Sequence, residues 1–118
     1  MPDVMTVFRA KGHLPPGVMN KTEEQHAWLL EARKRAGEVV AYRFEPWSIH
    51  LAPRTHYSPD FLVILNDGTV EFHEVKAWMT DDAWAKLKIA AASFPWFVFR
   101  LCLYEHRKLK SDEVVPCS

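Results

Sequence analysis

The chain has 118 residues, with 15 basic and 15 acidic side chains, 48% hydrophobic residues and no formal net charge. This length favours a single domain, and the hydrophobic content excludes a chain that is disordered throughout. The balanced charge argues against a protein that binds nucleic acid through overall basicity. It does not exclude local basic runs, or bound metal ions that restore positive charge at a phosphate site.

Cysteine and histidine positions give no sign of a zinc site. Cys102 and Cys117 have neither metal-ligand spacing nor the pattern of a disulfide framework, and the six histidines show no zinc spacing. A signal-peptide pattern and an apolar run of about 18 residues are also missing. We therefore expect a cytoplasmic protein that does not contact a membrane.

The first part of the chain predicts an arm, a helix and two strands. Residues 1–19 are rich in glycine and proline and predict a mobile arm, with a short strand near residues 4–9. A helix is predicted over residues 22–36, with Asn20 or Thr22 as its cap and Gly37 at its end. Two strands follow, at residues 39–44 and 47–51, and then a proline-containing loop.

The second part predicts a hairpin, a helix and a last strand. Asn66-Asp67-Gly68 is a strong turn signal between strands at residues 61–65 and 69–76. Thr80-Asp81-Asp82 begins a helix that we expect to span about residues 81–92, and residues 96–104 predict a buried strand. The segments divide the chain into the arm, one domain at residues 20–105, and a loosely ordered polar tail at residues 106–118. The expected fold class is α/β, around one central sheet.

The predicted hairpin brings three charged side chains together. Side chains alternate faces along a strand, so Glu74 and Lys76 point to one side with Phe72, while His73 points to the other. Asp60 begins the paired strand, so the turn places it near the end of the strand that carries Glu74 and Lys76. Two carboxylates suit a hard cation such as Mg²⁺, and a lysine beside them can stabilise charge on a phosphate.

The residues of this hairpin resemble a known superfamily. Ser58-Pro59-Asp60 followed by Glu74-Val75-Lys76 resembles the motif of PD-(D/E)xK nucleases. The wider sequence, over about residues 20–104, resembles a phage-encoded branch related to Holliday-junction resolvases and recombination nucleases. The matching stretches are Asn20-Lys21-Thr22-Glu23, Arg35-Ala36-Gly37-Glu38, Tyr42-Arg43-Phe44-Glu45, Tyr57-Ser58-Pro59-Asp60-Phe61 and Glu71-Phe72-His73-Glu74-Val75-Lys76.

The resemblance implies a fold and a chemistry. The fold would be a restriction-endonuclease-like αβββαβ core, with a central mixed sheet flanked by helices. Asp60 and Glu74 would bind Mg²⁺ or Mn²⁺, and Lys76 would be the catalytic lysine. One departure concerns Ala77, because many relatives carry glycine directly after the lysine. The added methyl group would narrow the approach of a DNA backbone.

The first helix is expected to contribute one more carboxylate. Related nucleases often add an acidic residue from this helix, and Ala27 and Leu30 place Glu23 near its buried stripe. Glu24 groups instead with Trp28 on a more solvated face. The alternative for Glu23 is a simple contact with the helix dipole in the first turn.

Further basic residues and one histidine are candidates for contact with DNA. These are Lys86, Lys88, Arg33, Arg35 and, as an assistant in proton transfer, His56. For the four basic residues the alternative is an ordinary solvated helix face. His73 is expected to pack or to form hydrogen bonds in a structural role.

These observations predict a metal-dependent deoxyribonuclease that cleaves branched or junction DNA in phage recombination or replication, in the cytoplasm of a bacterial host cell. The expected partner is DNA, and a homodimer would enlarge the DNA-binding surface. One alternative is a catalytically inactive DNA-binding or recombination-accessory protein on the same fold. Another is an interaction protein whose tryptophans contact a partner, although charged residues in the hairpin argue against this.

Overall fold

A computed structural model describes residues 17–117 of the chain, so the strand expected near residues 4–9 lies outside the described residues. Its elements, in chain order, are α1 (Lys21–Arg35), β1 (Val39–Phe44), β2 (Ile49–Ala52), β3 (Thr55–Tyr57), β4 (Phe61–Leu65), β5 (Val70–Lys76), α2 (Asp81–Ser93), β6 (Val98–Glu105) and β7 (Lys108–Val114).

The two helices begin at side-chain caps. Asn20 Oδ1 accepts a 2.8 Å hydrogen bond from the Glu23 amide, and Glu23 Oε1 accepts a 2.9 Å bond from the Asn20 amide. This reciprocal pair is a capping box, so Asn20 rather than Thr22 begins α1. Thr80 caps α2 by accepting a hydrogen bond from the Ala83 amide. Neither helix is long and apolar enough to cross a lipid bilayer.

Five strands form one mixed sheet in the order β1-β4-β5-β6-β7. β5 and β6 are parallel and every other neighbouring pair is antiparallel. The parallel pair follows from the crossover through α2, because parallel strands need a long connection. The expected α/β class with a mixed central sheet and helices is therefore confirmed.

A helix packs on each face of this sheet. Ala27 and Leu30 of α1 join one buried cluster with Val75, whereas Leu87 and Ala90 of α2 join another. Phe72 belongs to the α2 cluster, which confirms that neighbouring β5 side chains point to opposite faces.

Residues 52–57, expected to be loop, include a short strand. β2 and β3 form a separate two-stranded antiparallel sheet in which Ala52 pairs with Thr55. Arg54, in the turn, has a φ of 61°, a conformation usually reserved for glycine or asparagine. The sequence therefore lacks the usual turn signal, and prolines on both sides favoured an irregular loop. The hairpin carries Ile49 and Tyr57 into the α2 cluster.

The prediction of a loosely ordered tail at residues 106–118 is wrong. β7 pairs with β6, and Val115 is buried and donates a 2.7 Å hydrogen bond from its amide to Phe99 O. The connecting turn places His106 and Arg107 at φ values of 51° and 63°, the left-handed conformation of a tight hairpin turn. The sequence of the tail is polar because β7 is an exposed edge strand, on which charged side chains face solvent.

Candidate functional site

Asp60 is held at the start of β4 by its backbone and its side chain. Its amide donates to His73 O at 3.1 Å, and its carbonyl accepts from the Glu45 amide at 2.8 Å. The carboxylate Oδ2 accepts a 2.7 Å hydrogen bond from the Val75 amide. Because Phe61 pairs with His73, Asp60 lies one residue further along, across from Glu74.

Glu74 is the buried centre of the site, with a residue exposure of 7%. Its Oε1 accepts a 2.8 Å hydrogen bond from the Tyr57 hydroxyl, and its Oε2 lies 3.4 Å from Lys76 Nζ. The β2–β3 hairpin thus supplies a contact to the carboxylate that sequence reasoning did not identify. Lys76 itself is partly exposed, so its ammonium group can reach a ligand from solvent.

Glu23 joins this group from α1. Its pKa is raised, first by burial and also by the charges of Glu45 and Glu74, while the Asn20 amide and Lys76 act in the opposite direction. The pKa of Glu24 is also raised, by burial, but its charged neighbours are Lys21 and Arg107. Of the two candidates, Glu23 is the one placed near Glu74 and Lys76.

The pKa values of the other two carboxylates are raised as well. Burial is the main cause at Asp60, and the negative charge of Glu74 adds to it. Burial also raises the pKa of Glu74, although Lys76 and the Tyr57 hydrogen bond partly offset it. Three carboxyl groups share one lysine, so the site would hold more negative charge than its own cation balances if all three were ionised, and their raised pKa values reflect this.

Two surface grooves adjoin these carboxylates. One, of about 290 Å³, is lined by residues of α1, the end of β5 and the start of α2, including Glu23, Lys76, Trp78 and Thr80. The other lies beside Asp60, and its lining includes Trp47 and Glu45. Trp78 is 71% exposed. Each groove therefore places an exposed indole ring next to a carboxylate of the site.

The other predicted residues lie at varying distances from this centre. Arg33 and Arg35 are at the far end of α1, about 15 Å or more along the helix from Glu23 at 1.5 Å per residue. They form ion pairs with Glu38 and Glu31.

Lys86 lies one turn along α2 from the groove residue Ala83, and Lys88 Nζ lies 5.6 Å from the centre of the Trp84 ring. His56 is exposed and stacks on His50, at 4.9 Å between ring centres. Since Tyr57 points inward to Glu74, the preceding His56 points away from the carboxylates.

A second polar cluster lies inside the core on the α1 face. His26 Nε2 and His73 Nδ1 are 2.8 Å apart, and Cys102 Sγ lies 4.0 Å from the same His73 nitrogen. Among residues 17–117 these three side chains form a group whose ligand atoms lie within 4.8 Å of one another. Asp60, Glu74 and Glu23 do not form a group that close. The three side chains come from distant parts of the sequence, so no local spacing could have indicated them.

Comparisons with known proteins identify no relative: the chain matches no protein-family model, no curated protein and no solved structure.

Proposed function

We propose that this protein is a metal-dependent endonuclease that hydrolyses phosphodiester bonds in DNA. The observation that carries the proposal is the pair of carboxylates, partly buried Asp60 and buried Glu74, beside Lys76 and an open groove. Burying ionisable groups costs stability, and arrangements of this kind are concentrated at functional sites.

The donor set of the site fits Mg²⁺ or Mn²⁺. Carboxylate oxygens are the ligands that hard cations prefer, and Mg²⁺ needs only one or two of them because it keeps several waters. Asp60 and Glu74 would hold the ion, with Glu23 as a further carboxylate at the groove. A bound ion would polarise the phosphate and lower the pKa of an attacking water. Its charge would also offset the excess of carboxylates over Lys76.

The chain's own residues would orient the reacting groups. The Val75 amide holds the Asp60 carboxylate, and the Tyr57 hydroxyl fixes one oxygen of Glu74. Lys76 is positioned by the other Glu74 oxygen and extends into the groove, where it would stabilise negative charge that develops on the phosphate.

The groove offers contacts for the rest of the substrate. Thr80 lies at the start of α2, and the N-terminus of a helix attracts phosphate through its free amides and dipole. The exposed ring of Trp78 can stack on a base, and Lys86 lies further along the same helix. Arg33 and Arg35 are ion-paired at the far end of α1, which makes them weaker candidates.

The element order supports a restriction-endonuclease-like core. Without the β2–β3 hairpin and the edge strand β7, the chain runs helix, three strands, helix, strand, which is the αβββαβ order of the PD-(D/E)xK superfamily that the motif resembles. By the same resemblance, the substrate would be branched or junction DNA in phage recombination or replication, within a bacterial cell. A homodimer would place two sites on two strands.

The second candidate is an inactive DNA-binding or recombination-accessory protein with the same fold. The specific observation in its favour is that the oxygens of Asp60, Glu74 and Glu23 do not all lie within 4.8 Å of one another, as the ligand atoms of His26, His73 and Cys102 do. Such a protein would bind DNA without cleaving it, and its stability would not change with Mg²⁺.

Cleavage of defined DNA substrates tests the proposal. Four-way junction, linear duplex and single-stranded DNA are incubated with Mg²⁺, Mn²⁺ or EDTA, using the wild type and the variants Glu74→Gln and Lys76→Met. Glu113→Gln and Lys110→Met, on exposed positions of β7, are matched controls. We expect metal-dependent cleavage that both site variants lose and both controls retain. Binding without cleavage of any substrate, unchanged in the site variants, would favour the accessory protein.

A further inference from the structure

The core between α1 and the sheet holds three side chains of the kind that bind transition metals. His26 comes from α1, His73 from β5 and Cys102 from β6, and all three are buried. Their ligand atoms lie within 4.8 Å of one another. We infer that these residues form a binding site for a divalent ion of the zinc class, separate from the proposed carboxylate site.

The donor atoms select the class of ion. Two imidazole nitrogens and one thiolate sulfur are characteristic ligands of Zn²⁺, whereas Mg²⁺ and Ca²⁺ prefer oxygen ligands. The carboxylate site offers oxygens only from its acidic side chains, so the two sites would take different ions.

The distances require small adjustments to accept the ion. Zinc–nitrogen distances of about 2.0–2.1 Å and zinc–sulfur distances of about 2.3 Å place tetrahedral ligand atoms about 3.3–3.6 Å apart. His26 Nε2 and His73 Nδ1 are 2.8 Å apart, and Cys102 Sγ is 4.0 Å from His73 Nδ1. The two nitrogens would separate by about 0.5 Å, and the sulfur would approach His73 Nδ1 by about the same amount. The His26 and Cys102 ligand atoms lie within 4.8 Å of each other and would approach by up to about 1.2 Å, which rotations of the side chains can supply.

Each histidine has a partner that fixes its ring from the other side. His73 Nε2 donates to Glu71 Oε1 at 2.8 Å, which leaves Nδ1 without a proton and free to bind an ion. His26 Nδ1 lies 2.8 Å from the Tyr104 hydroxyl. A ligand histidine in metalloproteins usually has such a carboxylate or oxygen partner for its second nitrogen. The groups around the three ligands, Glu71 and Tyr104, are therefore also those expected of a metal site.

The protons balance when an ion enters. In the metal-free protein, His26 Nε2 donates its proton to His73 Nδ1, and Tyr104 donates to His26 Nδ1. On binding, the His26 proton moves to Nδ1 and is donated to the Tyr104 oxygen, and the Cys102 thiol releases one proton to solvent. The ion then bonds to both facing nitrogens and to the thiolate.

The charges balance as well. Glu71 Oε2 accepts from Arg100 Nε at 3.0 Å, and Arg100 Nη1 donates to Asp112 Oδ1 at 3.1 Å. With a neutral thiol and neutral imidazoles, the two carboxylates outweigh Arg100 by one negative charge. A divalent ion with one thiolate adds one positive charge, so the complete network becomes neutral.

Metal uptake during refolding tests this site. The protein is unfolded in EDTA, refolded with one equivalent of Co²⁺, and its absorption is recorded, because the buried ligands are accessible only while the chain is open. We expect tetrahedral cobalt bands in the visible region and a thiolate-to-cobalt band in the near ultraviolet, with Zn²⁺ displacing the cobalt. Carboxylate ligands do not give a thiolate band, so this signal requires a cysteine ligand.

The two cysteines of the chain supply matched variants. Cys102→Ala and Cys102→Ser should abolish the thiolate band, whereas Cys117→Ala, at an exposed position, should keep it. Glu74→Gln should also keep it, since the carboxylate site is separate. Far-ultraviolet circular dichroism shows that each variant has refolded.

A refolded wild type without a thiolate band, or a band that depends on Cys117, would overturn the inference. If both Cys102 variants fail to refold, the wild type alone decides. Bound cobalt must then protect Cys102, but not Cys117, from a thiol-specific reagent during brief unfolding, and equal labelling of both cysteines would overturn the inference.

Discussion

The Tyr57 hydroxyl donates a 2.8 Å hydrogen bond to Glu74 Oε1, while Lys76 Nζ lies 3.4 Å from Glu74 Oε2. The two oxygens of one buried carboxylate therefore have different partners, one from β3 and one from β5. Burial and the Glu74 charge raise the pKa of Tyr57, so its hydroxyl remains a donor at physiological pH. This bond links the small β2–β3 hairpin to the centre of the proposed active site.

Replacing Tyr57 with Phe should weaken the fold and change the titration of Glu74. A buried hydrogen bond to a charged group contributes about 2 kcal/mol, so the free energy of unfolding should fall by about that amount at pH 7. Since the bond lowers the pKa of Glu74, its loss should raise that pKa, and the acidic limb of the pH–rate profile should move to higher pH.

Urea unfolding and cleavage rates from pH 5 to 9 measure the two effects of Tyr57→Phe. The control repeats the substitution in a Glu74→Gln background, where the charge is gone. An equal loss of stability in both backgrounds would show that the hydroxyl does not act through the Glu74 carboxylate.

Replacing Asp60 with Asn should stabilise the metal-free protein at neutral pH. Burial, and then the charge of Glu74, raise the pKa of Asp60 well above 3.8. The Asp60 carboxyl group loses its proton near pH 4 in the unfolded chain, but only at higher pH in the folded protein. The stability that the protonated group contributes is therefore fully present below pH 4 and is lost as the pH rises through the folded pKa. The Asn side chain can still accept a hydrogen bond from the Val75 amide but carries no charge. The expected gain is on the order of 1 kcal/mol at pH 7.5.

Urea unfolding in EDTA at pH 3.5 and 7.5 measures the effect of Asp60→Asn. The gain should be present at pH 7.5 and nearly absent at pH 3.5. Mg²⁺ should raise the melting temperature of the wild type and not that of the variant. A gain of the same size at both pH values would mean that packing, and not the charge of Asp60, causes the difference in the free energy of unfolding.

The hairpin that carries the site could be predicted from local sequence. Asn66-Asp67-Gly68 indicates the turn, and the alternation of side chains places Glu74 and Lys76 on one face. Asp60 then falls opposite Glu74 by counting back from the turn. Each step depends on neighbours along the chain, and none depends on the rest of the fold.

Contacts between distant segments were not predictable in this way. His26 and His73 are 47 residues apart, and His26 and Tyr104 are 78 apart, so only the packing of α1 on the sheet brings them together. The strand β7 was missed for another reason. Its turn uses His106 and Arg107 at positive φ, where the usual signal is asparagine or glycine, and its side chains follow no apolar alternation because they lie on an exposed edge.

His26 should make the metal-free protein less stable in mild acid. Burial, together with the neighbouring His73, lowers the pKa of His26 to about 3, whereas the unfolded chain binds a proton below about pH 6.5. Stability should therefore fall as the pH drops from 6.5 toward 3, by about 1.4 kcal/mol per pH unit for this one group.

Urea unfolding in EDTA between pH 4.5 and 7.5 measures that slope for the wild type, His26→Gln and His106→Gln. His26→Gln should be less stable at pH 7.5 and should lose this part of the slope, because glutamine does not titrate. His106 is exposed and serves as the control. A slope that His26→Gln leaves unchanged would show that another group is responsible for acid sensitivity.

Replacing Trp78 with Ala should weaken DNA binding without weakening the fold. The ring is 71% exposed, so its removal should change the free energy of unfolding by less than about 0.5 kcal/mol. Trp78 lines the groove that contains Lys76 and Glu23, where a base next to the cleaved phosphate would lie. Stacking on an aromatic ring contributes about 1–3 kcal/mol per base, so the dissociation constant should rise about 5-fold to 150-fold.

Trp96→Ala is the matched control for Trp78→Ala, because Trp96 is 77% exposed but lies near the opposite end of the sheet. Val98, close to Trp96, pairs with Glu71, five residues and about 17 Å along β5 from Lys76. Fluorescence anisotropy with labelled single-stranded and four-way-junction DNA, in Ca²⁺ to prevent cleavage, measures both variants. The stacking role predicts a loss of affinity for Trp78→Ala alone and a partial recovery for Trp78→Phe. Equal losses at Trp78 and Trp96 would instead indicate general contact between exposed rings and DNA, and no loss at either position would place the DNA outside this groove.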